Sequence, residues 1–187
     1  MDKYIQTFAF VDSLCELLGT RAYLWGGWIP DIYSGKLLRQ HDDCEHLVLN
    51  LYDYLERIQE VFNLLGWETK VLENGDLKVK KDHIKIHFGH LTKKNGTAEW
   101  YHNGKLGKIV FPETWLNSDN IVFSGKALHA VKPEFQLVLK LHPEFMNPVW
   151  KHREKDKHDI EVLRTLLNRY YVAFQYYRIP TPLIMPN

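Results

Sequence analysis

Tyr23-Leu-Trp-Gly-Gly-Trp-Ile-Pro-Asp31 and, a short loop later, Arg39-Gln-His-Asp-Asp-Cys-Glu-His-Leu-Val-Leu49 decide how the rest of the chain reads. Ala22 to Trp25 is a short apolar strand that runs into a double glycine. Gly26 and Gly27 can take backbone angles closed to other residues and let a ligand approach the main chain. Trp28 to Ser34 reads as a short helix, with Pro30 tolerated in its first turn and Gly35 closing it. The free N–H groups at its start face an anion, which makes the stretch a phosphate seat. A second strand runs from Asp43 to Leu49. Alternate residues of a strand share a face, so Asp43 and Glu45 project together while Cys44 points into the core. Paired carboxylates beside a phosphate seat are half of a hard-cation site, the arrangement that holds Mg²⁺ against a nucleotide.

Outward from this stretch the periodicities alternate between helix and strand. Tyr4, Phe8, Val11, Cys15 and Leu18 recur at helical spacing up to Gly19, and Leu51, Leu55, Ile58, Val61, Phe62 and Leu65 do so up to Gly66. Trp67–Leu72 and Leu77–Lys80 read as strands joined at Asn74-Gly75, a strong hairpin signal, and Ile84, Ile86 and Phe88 alternate as the next strand. Lys93 to Gly107 reads as a glycine- and asparagine-rich excursion, followed by short strands at Lys108–Phe111 and Asn120–Phe123. A helix is expected from Pro133 to Phe145 and a last one from Glu154 to Tyr171. The tail, with Pro180, Pro182 and Pro186, is expected to be extended and partly mobile. The fold class expected is therefore α/β (α+β), a mixed β-sheet core flanked by helices. At 187 residues the chain suits a single domain over 1–187, with the core over about 1–130 and a C-terminal helical portion over about 131–187.

Composition narrows the function classes. A hydrophobic share of 45% with 13% aromatics belongs to a folded globule rather than a disordered chain. A net charge of +1 argues against non-specific nucleic-acid binding as the main activity, though it leaves room for local basic patches. The 2 cysteines, Cys15 and Cys44, fall in apolar periodic segments and read as reduced core thiols. His142, His152 and His158 are too irregularly spaced for zinc. The opening Met-Asp-Lys-Tyr lacks the basic-then-apolar order of a signal peptide, and no apolar run approaches the ~20 residues that span a bilayer. A cytoplasmic protein with no membrane partner is expected.

Gly-Gly-Trp-x-x-Asp over 26–31, then Gly35, then Arg39-x-His41-x-Asp43-x-Glu45 resembles the core of the nucleotidyltransferase superfamily of DNA polymerase β type. Within it the nearest likeness is to the antibiotic-modifying branch, the aminoglycoside 2″- and lincosamide nucleotidyltransferases. The resemblance implies transfer of a nucleoside monophosphate from an NTP to a hydroxyl of a small molecule, an aminoglycoside or lincosamide among the candidates. It implies two Mg²⁺ ions held by Asp43 and Glu45 as the catalytic carboxylates, about 3.5–4 Å apart, one at the attacking hydroxyl and one at the leaving pyrophosphate. It also implies nucleotide contacts from Gly26, Gly27, Arg39, His41, Lys140, Arg153 and Lys155.

The sequence departs from that pattern twice. The superfamily draws a third carboxylate from a neighbouring strand reading apolar-Asp-apolar-His; here the matching strand is Ile84-Lys85-Ile86-His87, with Lys85 at the acidic position. The second carboxylate of the pair is Glu45, where Asp is commoner. An ammonium in a cation site repels the metal by several kcal/mol at ~4 Å and an effective dielectric near 20, and would instead pair with Asp43 or Glu45. Alternatively the strand is offset by one, Lys85 faces solvent, and Asp82, Glu99 or Glu73 supplies the ligand.

Other positions also carry two readings. Arg39 is a triphosphate clamp or a partner for Asp42. In Lys151-His-Arg-Glu-Lys-Asp-Lys-His-Asp159, Asp156 caps the last helix and Asp159 complements its dipole, or Arg153 and Lys155 reach back to phosphates. Trp100, Tyr101, Trp115, Tyr170, Tyr171, Tyr176 and Tyr177 line an acceptor pocket or fill the core. The alternative to an active enzyme is a degenerate relative, a nucleotide- or partner-binding module in which Lys85 replaces the metal. Transfer to a protein or RNA acceptor is a third reading, which the near-neutral charge disfavours for RNA. A homodimer is compatible with all three.

Overall fold

The computed structural model describes residues 2–101, 108–117, 119–146, 149–171 and 183–185. Elements follow in the order α1 (Asp2–Leu17), β1 (Ala22–Trp25), α2 (Ile29–Ser34), β2 (Cys44–Leu49), α3 (Leu51–Leu64), β3 (Glu68–Val71), β4 (Leu77–Lys81), β5 (Ile84–Lys94), β6 (Thr97–Tyr101) and β7 (Lys108–Pro112). Then come β8 (Ile121–Phe123), β9 (Lys126–Leu128), α4 (Pro133–Leu141), α5 (Glu154–Tyr171) and β10 (Leu183–Met185). The architecture is the expected mixed sheet flanked by helices.

Among the described residues the main sheet has 8 strands, with β1, β2, β5, β6, β7 and β10 in that order and β4–β3 branching from β5. The branch arises because β5 is long: β2 pairs with one edge, parallel, while β4 takes the first half of the other edge and β6 the second half. A parallel pair needs a crossover, and α3 supplies it between β2 and the β3–β4–β5 meander. One face of the sheet carries Cys44, His46, Val48, Ile86 and Phe88, all buried. Helix α1 packs on it through Phe8 against His46, and α3 through Phe62 against Phe88. Helices α4 and α5 pack on each other and on α2, beside the double glycine.

Several elements differ from expectation, each for a local reason. The excursion after Lys93 contains β6: Asn95 (φ 52°) and Gly96 (φ 79°) form the two-residue turn of a β5–β6 hairpin. Ser124 (φ 48°) and Gly125 (φ 76°) do the same between β8 and β9. Helix α4 ends at Leu141 rather than Phe145, because Pro143 lacks an N–H and disfavours a helical His142; Pro143–Phe145 is a 3₁₀ turn. Residues Leu183–Met185 of the tail pair antiparallel with β7; Pro180, Pro182 and Pro186 lie outside the described residues. Trp100 and Trp115 are buried core residues. The side chains of Tyr170, Tyr171, Tyr176 and Tyr177 lie outside what is described.

Candidate functional site

The double glycine is required by what packs around it. Gly26 has φ +80°, and a Cβ there would collide with Glu45 Oε2. A Cβ on Gly27 would sit 2.5 Å from Arg39 Nη2 and 3.3 Å from His41 Nδ1. The two glycines thus make room for three side chains of the motif that follows them. The Gly26 N–H is not free for an anion, as the sequence suggested: it donates to Gln136 Oε1 of α4 at 2.7 Å. That bond anchors α4 on the end of β1.

The loop from α2 to β2 is tied down by buried polar contacts. Trp28 donates its indole N–H to the Asp43 carbonyl at 2.9 Å and stacks on His41, with ring centroids 4.1 Å apart. His41 Nε2 donates to Asp31 Oδ2 at 2.9 Å, and the Leu38 N–H donates to the same oxygen at 3.2 Å. His41 Nε2 is thus taken up by a carboxylate of α2. These contacts give Trp28, Asp31 and His41 a common role: they fix the chain just where Asp43 enters β2.

Asp43 is exposed and Glu45 half-buried. Glu45 Oε2 is enclosed and accepts no hydrogen bond among the described residues. Burial, together with the charge of Asp43, pushes the Glu45 carboxyl up to about 8 against the pull of Lys140, Lys155 and Arg39. An enclosed, unpartnered carboxylate oxygen beside a second carboxylate is what a hard cation satisfies. Among the described residues no three His, Cys, Asp or Glu side chains converge on one point. Glu73 and Asp82 are exposed, Asp82 in the β4–β5 turn at φ 54°. Glu99 is bonded to Tyr101 and Lys108. None of these three borders the clefts on which Asp43 and Glu45 open.

The carboxylates open on two clefts at once. The first lies between the double glycine and helices α4 and α5, with Arg39, His41, Lys140, Arg153 and Lys155 in its wall. Arg39 does not pair with Asp42; it forks onto Asp159, Nε to Oδ1 and Nη2 to Oδ2, both at 2.9 Å. Lys140 Nζ bridges Asp156 Oδ1 at 2.6 Å and Asp159 Oδ2 at 3.0 Å. Asp156 also accepts from the Arg153 backbone N–H (3.0 Å) and from Arg153 Nε (2.8 Å), closing the first turn of α5. Burial alone would raise the Asp156 carboxyl, but the hydrogen bonds from Arg153 and Lys140 outweigh it and hold it well below its ordinary range. Lys155 forms no salt bridge among the described residues and faces the cleft. Trp150 lies beside it, with the Arg153 guanidinium 4.9 Å from its ring centroid.

The second cleft runs over the face of the sheet that α1 and α3 leave uncovered. Here Glu45 pairs with His87 across β2 and β5, His87 with Lys78 across β5 and β4, and Lys78 with Lys70 across β4 and β3. One step further along the same registers sets Lys85 beside Asp43, with Lys80 opposite Lys85 and Glu68 opposite Lys80. Lys85 thus shares the carboxylates' face, yet it makes no salt bridge to Asp43 or Glu45, the pairing the sequence predicted for an ammonium at that position. The sequence reading held Asp31 only as the last residue of its motif and gave Gln136, Lys70, Lys78 and Lys80 no part in the site. The lysines had a readable signal in the alternation of Leu77-Lys-Val-Lys80 with Ile84-Lys-Ile-His87; the Gln136 contact, across 110 residues, had none.

No family model and no curated protein matches the chain in sequence. Solved structures do match in fold. A lincomycin-bound lincosamide antibiotic adenylyltransferase, LnuA, superposes with a TM-score of 0.65 at 18% identity, covering 84% of this chain and 94% of its own. ANT(2″)-Ia in complex with adenylyl-2″-tobramycin gives 0.68 at 13% identity, covering 91% and 93%. A nucleotidyltransferase-like protein from Paracoccidioides brasiliensis gives 0.52 at 11% identity, covering 93% and 89%. At these identities the likeness is one of fold, and the chain has the nucleotidyltransferase fold.

Proposed function

We propose that the protein transfers a nucleoside monophosphate from an NTP to a hydroxyl of a small-molecule acceptor, with Asp43 and Glu45 at the reacting centre. The observation that carries this reading is that the same two carboxylates border both a cationic cleft and a separate groove. A donor phosphate chain and an acceptor can then meet at one point from opposite sides. The nucleotidyltransferase fold, and fold neighbours solved with lincomycin and with an adenylylated tobramycin, support a hydroxyl-bearing acceptor.

In this reading Lys155, Lys140 and Arg39 hold the phosphate chain, and the buried Asp156 and Asp159 hold Lys140 and Arg39 in place. The acceptor oxygen forms a bond to the α-phosphorus. The bond from that phosphorus to the oxygen bridging to the β-phosphate breaks, its electron pair leaving on pyrophosphate, and Asp43 takes the hydroxyl proton. The donor set fits a hard cation: Asp43 and the orphaned Glu45 Oε2 would hold Mg²⁺. Bound there, it would neutralise charge developing on the phosphates.

A second reading is favoured by one observation. The β5 residue beside Asp43 is Lys85, and a third carboxylate is missing among the described residues. The protein would then bind nucleotide without turning it over. Pyrophosphate release over the four NTPs, with Mg²⁺ and a panel of hydroxyl acceptors, separates the two. Mg²⁺-dependent release is the expected result. Nucleotide binding without release favours the binding module, and absence of nucleotide binding overturns both.

A further inference from the structure

We infer that the acceptor is a small anionic molecule, a hydroxyl compound bearing a phosphate or carboxylate, seated on the lysines of β3, β4 and β5. The inference rests on the transfer reading above and specifies its second substrate.

The groove that meets Asp43 and Glu45 from the sheet side contains Lys70, Lys78, Lys80 and Lys85, all exposed. None of the four forms a salt bridge among the described residues. The registers set Lys80 directly opposite Lys85 and Lys70 directly opposite Lys78. Like charges in directly opposed cross-strand positions destabilise a sheet, and here two such pairs lie side by side on one face. Glu68, opposite Lys80, is the acidic residue of β3 on that face. Asp76, also acidic, lies within 3.3 Å of His87 Nε2. An anion bound across the lysines removes the repulsion that the bare face carries.

The patch is compact. Strands about 4.8 Å apart and alternate residues about 6.7 Å apart confine the four ammonium stems to about 10 by 7 Å. That matches one or two phosphate or carboxylate groups. A single strand of nucleic acid occupies about 4–16 nucleotides on its binding surfaces and stacks its bases on aromatic rings; no Trp, Tyr or Phe stands in these two cross-strand rows. An anion on Lys78 and Lys85 would hold a neighbouring hydroxyl toward Asp43, on the side away from Lys155. A polycationic aminoglycoside would meet like charge there.

The test fills the first cleft with a non-hydrolysable NTP analogue and Mg²⁺, then titrates matched pairs: glycerol 3-phosphate against glycerol, glucose 6-phosphate against glucose, with tobramycin and lincomycin alongside. The phosphorylated members are expected to bind at least tenfold more tightly than their neutral counterparts, with amide shifts in β4 and β5. Lys78→Thr/Lys85→Thr is expected to lose at least tenfold of that affinity while still binding the analogue. In phosphate-free buffer the double variant is also expected to melt higher than the parent, and in phosphate to lose that advantage. Equal affinity within each pair, no binding by either member, or preferential binding of tobramycin overturns the anionic acceptor. If the analogue binds in those cases, the transfer reading survives; if the analogue itself does not bind, that reading falls too.

Discussion

Gly26 and Lys85 sit within the same few residues of the reacting centre and make opposite demands on it. Gly26 combines a left-handed backbone with contact against Glu45 Oε2. Gly26→Ala is expected to lower unfolding stability by about 1–2 kcal/mol from the backbone alone, and to displace Glu45 besides; urea denaturation reads the first effect and nucleotide titration the second. Unchanged values in both would reduce the double glycine to a tolerant turn. Lys85 is exposed and forms no salt bridge among the described residues, so its replacement leaves no buried partner there unpaired. Lys85→Asp removes a cation beside Asp43 and adds a hard oxygen, so Mg²⁺ affinity is expected to rise several-fold. A fall on Mg²⁺ titration would remove Lys85 from the neighbourhood of the metal. At this scale the sequence was informative about Asp43 and Glu45, because period-two alternation alone puts them together. It offered Asp42 as a partner for Arg39 and missed Asp159, which is 120 residues away and is brought close only by the packed helices.

Helix α5 is held by charge as much as by its apolar face. Asp159, 1% exposed, serves both Arg39 and Lys140. Asp159→Asn leaves both cations with less than they need in a half-buried setting, and a loss of about 3 kcal/mol or more is expected, with α5 loosening first; hydrogen exchange over residues 154–168 checks it. Strand β2 carries a second liability in His46, buried between Phe8 and Phe88. Burial lowers its pKa to about 3, from an ordinary value of 6.5. The sign follows directly. Above 6.5 neither state holds the proton; below it the unfolded chain takes a proton that the fold refuses, so stability falls with pH down to about 3. The slope from this residue is up to about 1.4 kcal/mol per pH unit. His46→Leu is expected to flatten the stability profile between pH 6.5 and 4 in denaturant melts, and an unchanged slope would contradict the assignment. Element boundaries were most legible where punctuation was unambiguous, as at Trp25 before the double glycine. They were lost at Asn95-Gly96, where the polar end of the long β5 (Thr92-Lys-Lys94) hid the hairpin, and at Ser124-Gly125, where the strands on either side are only 3 residues each.

Over the whole molecule, the sheet supplies two carboxylates at the start of the interior strand β2, and everything else decides what reaches them. Helices α4 and α5 bring cations to one side; the uncovered β3–β4–β5 face brings lysines to the other. No helix among the described residues is long and apolar enough to cross a membrane. The overall architecture was legible because the glycine, carboxylate and apolar signals agreed with one another. The acceptor groove was not, because its chemistry depends on which strands lie edge to edge. The central claim is that Asp43 and Glu45 join a metal to a bound nucleotide between these two clefts. Calorimetric titration of α,β-methylene NTP analogues, with and without Mg²⁺, into the wild type and Asp43→Asn tests it most directly. At least one analogue should bind the wild type in a Mg²⁺-dependent manner, and Asp43→Asn should weaken that binding tenfold or more, about 1.4 kcal/mol, with no change in the melting transition. Equal affinity in both proteins, or affinity indifferent to Mg²⁺, would contradict it.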